Sequence, residues 1–274
     1  MVDSLIQIWD IMERTKLSEF DSVLGGSRLA LSADGDLCFA ASWYGGSRGG
    51  VAAYDSFTGE QLWQRSDLRE TQHLSFSASG KALWCVSDSD GARSLSVFDG
   101  DDVSRLKGAR MVMEGDGTRL LEYRKGVVLS KPGRDTLLTK HRLLDAAFSP
   151  SEVVIAEFGG ALRCFDTDGV ELWALGRSDT GHFTNVYYSN TMDLFYAIFF
   201  EFQGPSSGSS TLYAIDQYTG DLVKISETGS WAYDLSDPTR CLITAHGDAI
   251  DLASGLRSAA LAVPQTDYPD PQSG

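Results

Sequence analysis

Apolar and polar residues alternate with a period of two over short runs, and each run ends in a cluster of turn-forming residues. Residues 51–63, VAAYDSFTGEQLW, show this most clearly. Val51, Ala53 and the body of Tyr54 form one strand, Asp55 and Thr58-Gly59 supply turn chemistry, and Leu62-Trp63 restart the pattern. Echoes of this unit stand at 96–99, 162–173, 213–221 and 249–255. A second marker lies upstream of each, a strand ending in a small-residue turn, as in 29–35 (LALSADG) and 74–80 (LSFSASG). Between the two markers runs a nearly continuous apolar segment, such as 37–41, 82–86, 153–156, 194–199 and 241–244. Such runs suit strands covered on both faces.

Each unit thus reads as four strands: a (the serine-turn marker), b (the apolar run), c (ending in Asp) and d (around Trp63, Trp173 or Val223). Ser32, Ser77, Glu114, Ser149, Ser189 and Ser236 are equivalent positions, at steps of 45, 37, 35, 40 and 47 residues. A four-stranded propeller blade takes about 40 to 45 residues, and a single unit cannot bury its own apolar face. The expected fold is therefore all-β, a single β-propeller over residues 1–264. It has about seven blades: six full repeats and an N-terminal c–d hairpin at 5–20 that closes the ring and hides a strand edge. A short amphipathic helix over 8–17 is the competing reading of that segment. The Pro-rich tail, 265–274, is expected to be disordered.

These residues resemble two propeller families. Ile8-Trp9-Asp10, with the degenerate Phe98-Asp99, Phe165-Asp166 and Ile215-Asp216, is similar to the strand-end motif of WD40-type β-propellers. His73, His141 and His182, just before strand a and with Gly181-His182 a literal Gly-His, resemble the histidine position of the same family. The resemblance implies a hydrogen-bonded network of these histidines with the strand ends. The segment from Ala53-Tyr54-Asp55 through Thr58-Gly59 to Trp63 resembles the docking pattern of quinoprotein-type propellers, which implies a ligand in the central channel.

Charge and chemistry narrow the function. The 274 residues carry 23 Lys and Arg against 38 Asp and Glu, a formal net charge of −15. This disfavours nucleic acid and anionic membranes and attracts basic partners. Cys38, Cys85, Cys164 and Cys241 lie singly in strand-like runs, so they read as free thiols of a reducing compartment. With no signal-like N-terminus and no membrane span, the expected location is cytoplasmic. No nucleophile elbow, zinc-protease helix, phosphate loop or calcium loop occurs, so no catalytic residue, metal or cofactor is expected.

Binding is expected on the loops, above all where strands b and c are separated by long insertions at 43–50 and 201–210. The b–c and d–a loops share one face. That gathers Trp43, Tyr44, Arg48, Arg69, Asp88, Asp90, Arg93, Asp179 and Phe202 as candidate partner-binding residues, with His246 beside Asp248 as a further candidate. The expectation is a monomeric, non-catalytic protein-binding propeller. Its sharpest form is an acidic bacterial immunity or antitoxin protein masking a basic toxin. The alternatives are an enzyme or small-ligand binder using the channel, and a scaffold subunit of a larger complex.

Overall fold

A computed structural model describes residues 4–10, 13–24, 26–42, 49–87, 90–176, 178–204, 207–228, 233–236, 240–244 and 248–259. Among them every regular element is a β-strand. Strands β1 (Ser4–Asp10) and β2 (Thr15–Ser22) form an antiparallel hairpin, so the helical reading of 8–17 is set aside. Blade 1 comprises β3 (Gly26–Leu31), β4 (Leu37–Ser42), β5 (Gly50–Asp55) and β6 (Gln61–Arg65). Blade 2 comprises β7 (Thr71–Phe76), β8 (Ala82–Ser87), β9 (Gly91–Ser96) and β10 (Asp102–Leu106). Blade 3 follows with β11 (Ala109–Gly115), β12 (Thr118–Tyr123), β13 (Gly126–Lys131) and β14 (Arg134–Thr139). Blade 4 is β15 (Leu143–Phe148), β16 (Glu152–Glu157), β17 (Leu162–Asp166) and β18 (Glu171–Leu175). Blade 5 is β19 (Gly181–Ser189), β20 (Leu194–Gly204), β21 (Ser207–Ile215) and β22 (Leu222–Glu227). Blade 6 is β23 (Tyr233–Ser236), β24 (Cys241–Thr244), β25 (Asp248–Asp251) and β26 (Arg257–Ala259). Each blade is an antiparallel meander in chain order. The first strands of successive blades, β3, β7, β11, β15 and β19, lie side by side as the inner wall.

The apolar b and c strands of blades 2 to 5 are buried on both faces because each of these blades is packed between two others, and those of blade 1 because it lies between the hairpin and blade 2. Phe39, Ala41, Val51 and Ala53 of blade 1 meet Leu83, Cys85 and Leu95 of blade 2. The alternate positions Cys38, Ala40, Ala52 and Tyr54 receive Ile6 and Ile8 of the hairpin. The same alternation recurs between blades 2 and 3, 3 and 4, 4 and 5, and 5 and 6. A one-residue slip would exchange the two faces throughout a blade, so register is strongly specified. Cys38, Cys85 and Cys164 are free and buried, and burial pushes the Cys38 thiol up to about 11 and that of Cys164 up to about 12.

Strand d of blades 1, 3, 4 and 5 docks on the next blade's c–d turn. The Trp63 indole donates its N–H to the Val97 carbonyl (3.0 Å) and that of Trp173 to the Gln217 carbonyl (2.8 Å). Each ring lies flat against a turn glycine: a Cβ on Gly100 or Gly220 would fall 2.8 Å from it. Phe20 of β2 fills the same position against Gly59. The hairpin therefore packs on blade 1 as a preceding blade's outer strands would, beside six four-stranded blades.

Asp55 of the quinoprotein-like pattern and the aspartates Asp99, Asp166 and Asp216 compared with WD40 strand ends serve these turns. Asp55 Oδ1 accepts the Phe57 and Thr58 amides at 3.0 and 2.7 Å, and Asp216 Oδ1 accepts those of Tyr218 and Thr219, both at 2.9 Å. Asp99 and Asp166 accept turn amides in the same way. His73 and His182 stand inside strand a rather than before it.

The inner strands are stitched by polar contacts to backbone, among them Arg28 to the Gln72 carbonyl (2.7 Å) and Ser75 to that of Val112 (2.6 Å). The His73 ring is buried here against the Val112 backbone, and its Nε2 has no partner. Burial lowers its pKa from 6.5 to about 4. Between those values the unfolded chain binds the extra proton, so stability is full above pH 6.5 and falls as pH drops toward 4. The whole effect is about 3 kcal/mol. Urea unfolding of wild type and His73→Gln at pH 7 and pH 4.5 should show a smaller acid loss in the variant. Equal losses would remove His73 as the cause.

Candidate functional site

The b–c and d–a connections gather on one rim because the strands of a meander reverse direction in turn. Trp43, Tyr44, Arg48, Asp88 and His246 lie outside the described residues. Arg69 is exposed in the loop between β6 and β7, next to Glu70 in a left-handed backbone conformation (φ 56°). Asp179 is exposed before β19.

Asp90 and Arg93 are not free binding groups but parts of an ion network that joins blades 1 and 2. Arg65 grips Asp67 with two hydrogen bonds, at 2.8 and 2.9 Å, and reaches the Gly100 carbonyl at 2.7 Å and Asp102 at 3.2 Å. Arg93 donates to Asp67 at 2.7 Å and lies 3.8 Å from Asp90, which in turn meets Arg105 at 3.7 Å. The Arg65 guanidinium, helped by Arg93, holds the Asp67 carboxyl down to about 2. Asp248 is likewise engaged, by Arg257 across the β25–β26 ladder, which leaves a charged partner already in place on the carboxylate thought to orient His246.

Phe202 stands on this rim on a pair of lengthened strands rather than on a loop. The insertion at 201–210 was expected as a loop, and its described residues instead extend β20 and β21, paired as far as Phe202↔Gly208 and Gly204↔Ser207. Its base is tied down by the Phe202 amide, which donates to the Thr180 carbonyl at 2.7 Å. The Phe202 ring lies 5.2 Å from His182 and 5.4 Å from Phe200, the latter edge-on, yet it remains 54% exposed. Burial lowers the His182 pKa. The Phe158-Gly159-Gly160 turn of blade 4 packs alongside: a Cβ on Gly160 would lie 3.3 Å from that of His182. Phe158, 62% exposed, donates its amide to the Arg142 carbonyl at 2.7 Å. Arg142, Phe158, His182 and Phe202 are thus contiguous. Sequence reasoning missed Phe158, although an aromatic on a tight Gly-Gly turn was a usable signal.

Charge is divided between the two rims. Asp34, Asp55, Asp99, Asp166, Asp216 and Asp251 stand on the a–b and c–d turns, where the motif requires them. The opposite rim carries cations around blade 3. Among the described residues no group of three His, Cys, Asp or Glu side chains could hold a metal ion.

No family model and no curated protein matches the sequence. Solved structures do match. The chain is a β-propeller. Dihydro-heme d1 dehydrogenase NirN aligns with a TM-score of 0.66 at 16% identity, over 96% of this chain and 62% of NirN. U3-55K aligns with a TM-score of 0.66 at 14% identity, covering 91% of this chain and 82% of its own. A putative 6-phosphogluconolactonase from Bacteroides fragilis gives 0.62 at 15% identity, over 89% and 85%. At these identities the likeness is one of fold, which hosts binding modules and enzymes alike. Among the described residues there is no helix long and apolar enough to cross a membrane.

Proposed function

We propose that this propeller is a non-catalytic protein-binding module that engages its partner through the b–c/d–a rim of blades 3 to 5. The observation that carries the reading is the pair of exposed phenylalanines, Phe158 and Phe202, on backbone fixed by hydrogen bonds to Arg142 and Thr180. Aromatics on rigid backbone lose little entropy on contact and bury much apolar surface, as binding hot spots do.

A second reading keeps the overall acidity in view. An immunity protein masking a basic toxin would meet its partner on the a–b/c–d turns, where the aspartates stand, so the charge argument and the loop argument point to opposite rims. Capture of partners from native lysate separates the two. The Phe158→Ser/Phe202→Ser protein should lose at least about tenfold of the captured partner, since each buried aromatic anchor contributes about 2 kcal/mol. Charge reversal on the far rim, Glu60→Lys/Asp221→Lys, should leave capture intact. The opposite pattern would overturn the aromatic rim and favour the acidic one.

A further inference from the structure

We infer that the b–c/d–a rim of blade 3 binds an acidic peptide segment that carries an apolar side chain. The inference rests on the protein-binding reading and names the chemistry of the partner. Ten of the 23 Lys and Arg fall between residues 105 and 142, against four of the 38 Asp and Glu, so this stretch is cationic inside a chain of net charge −15. The fold brings five of them to one place. Ala109 lies opposite Tyr123 in the β11–β12 ladder, which sets Lys107 and Arg110 beside the Arg124-Lys125 turn. Gly126 abuts the end of β14 so closely that a Cβ on it would lie 3.1 Å from the Lys140 Cα, which adds Lys140 to the group.

These five cations have no ion pair with any described residue, while two acids of the neighbouring strands and turns are already taken: Asp90 by Arg105 and Arg93, and Glu122 by Arg142. By contrast, the blade 3 cations on the opposite rim are paired, Arg119 with Glu114 and Lys131 with Asp168. Crowded, unpaired like charges repel one another, a cost that an anionic ligand relieves.

A cavity of about 410 Å³ opens between these cations, lined by Tyr123, Val128 and Leu137 with Gly108 at its edge. Leu137 is 53% exposed. An apolar floor under a cationic rim fits a leucine or phenylalanine flanked by aspartate or glutamate. It suits nucleic acid poorly, since that would want a longer basic track and open aromatic faces, and the rest of the chain repels a long polyanion. The site also continues into the aromatic rim through Arg142 and Phe158.

The test is fluorescence anisotropy with a fluorescein-labelled peptide of alternating Asp, Glu and Leu, and with an oligothymidylate of equal charge. The peptide should bind at about 25 mM salt and weaken about tenfold by about 150 mM, where screening sets in within roughly 8 Å. Arg124→Glu/Lys125→Glu/Lys140→Glu should weaken it at least about tenfold without shifting the melting temperature, because all three side chains are exposed. A Leu→Ser peptide should also bind less tightly. No peptide binding at low salt, binding indifferent to charge reversal, or tighter binding of the oligothymidylate would overturn the proposal. If the charge-reversed protein still captures the wild-type partner from lysate while Phe158→Ser/Phe202→Ser does not, the acidic segment falls and the protein-binding reading survives. If no partner is captured yet the peptide binds and charge reversal abolishes it, the protein-binding reading fails and the cationic site stands.

Discussion

Trp84→Ala is expected to lower the free energy of unfolding by about 4 kcal/mol, the largest loss from a single truncation among the described residues. Trp84 is 1% exposed in the middle of β8 and fills the junction of blades 2 and 3 with Val86, Ala92, Val112 and Leu121. Its indole N–H donates to Glu114 at 3.0 Å, and the Arg119 guanidinium stands over its ring at 5.6 Å. Glu114 also takes Arg119 at 2.6 Å and the Ala78 amide at 3.1 Å, so one carboxylate joins two blades. Truncation removes the ring's packing, opens a cavity and withdraws one donor. Trp84→Phe keeps most of the volume and loses only the N–H, at about 1 kcal/mol, because Glu114 retains two partners. Urea unfolding of the three proteins checks the partition. Equal losses in the two variants would place the stability in the hydrogen bond rather than in the packing.

Gly220→Ala is the second large effect, at about 3 kcal/mol, with Gly80→Ala as its internal reference at about 1 kcal/mol. Both glycines hold left-handed backbone, φ 78° and 69°, so any side chain meets the same local penalty. They differ in what a Cβ would meet: at Gly80 nothing within 4 Å, at Gly220 the Trp173 ring at 2.8 Å. The difference between the two losses therefore measures the docking of strand d on the next turn. A Trp173→Ala background should abolish most of that difference, since the obstructing ring is gone. If Gly220→Ala and Gly80→Ala cost the same, the interblade contact is loose and the turn conformation alone explains the glycine.

Docking also explains why blade 3 stands apart. Where Trp63 and Trp173 sit in strand d, blade 2 has Ser104, and the turn it faces is the tight Pro132-Gly133, against which a Cβ would meet nothing. The step of 35 residues between Glu114 and Ser149 was the trace of this in the sequence. Its consequence, a strand d in blade 2 with no side chain seated against the next blade's turn glycine, is visible only in the fold.

Much of the architecture was legible because it is local. A strand shows itself through alternation, a turn through Asp55, Thr58 and Gly59, and a blade through the recurrence of both. The order of strands in a meander follows from the chain itself, and even the hairpin was recoverable, since Leu5 to Phe20 carries a strand–turn–strand pattern without a preceding a or b. The candidate site was legible only in outline. Phe202 was found, but as part of a loop, because the pairing of Phe202 with Gly208 depends on an insertion that continues two strands rather than interrupting them. Asp90 and Arg93 were read as free groups because partners lie elsewhere in the chain, Asp67 and Asp102 for Arg93 and Arg105 for Asp90.

Charge marks the boundary most plainly. The sequence by itself determined the strands, the turns, the repeat and the net charge, all sums or patterns over near neighbours. Only the tertiary structure decided where that charge stands. Successive turns of a meander fall on alternate rims, so turn aspartates far apart in the chain collect on one side, and Lys107, Arg124 and Lys140 meet on the other. Their interaction depends on separation in space, within roughly 8 to 10 Å, and not on separation along the chain.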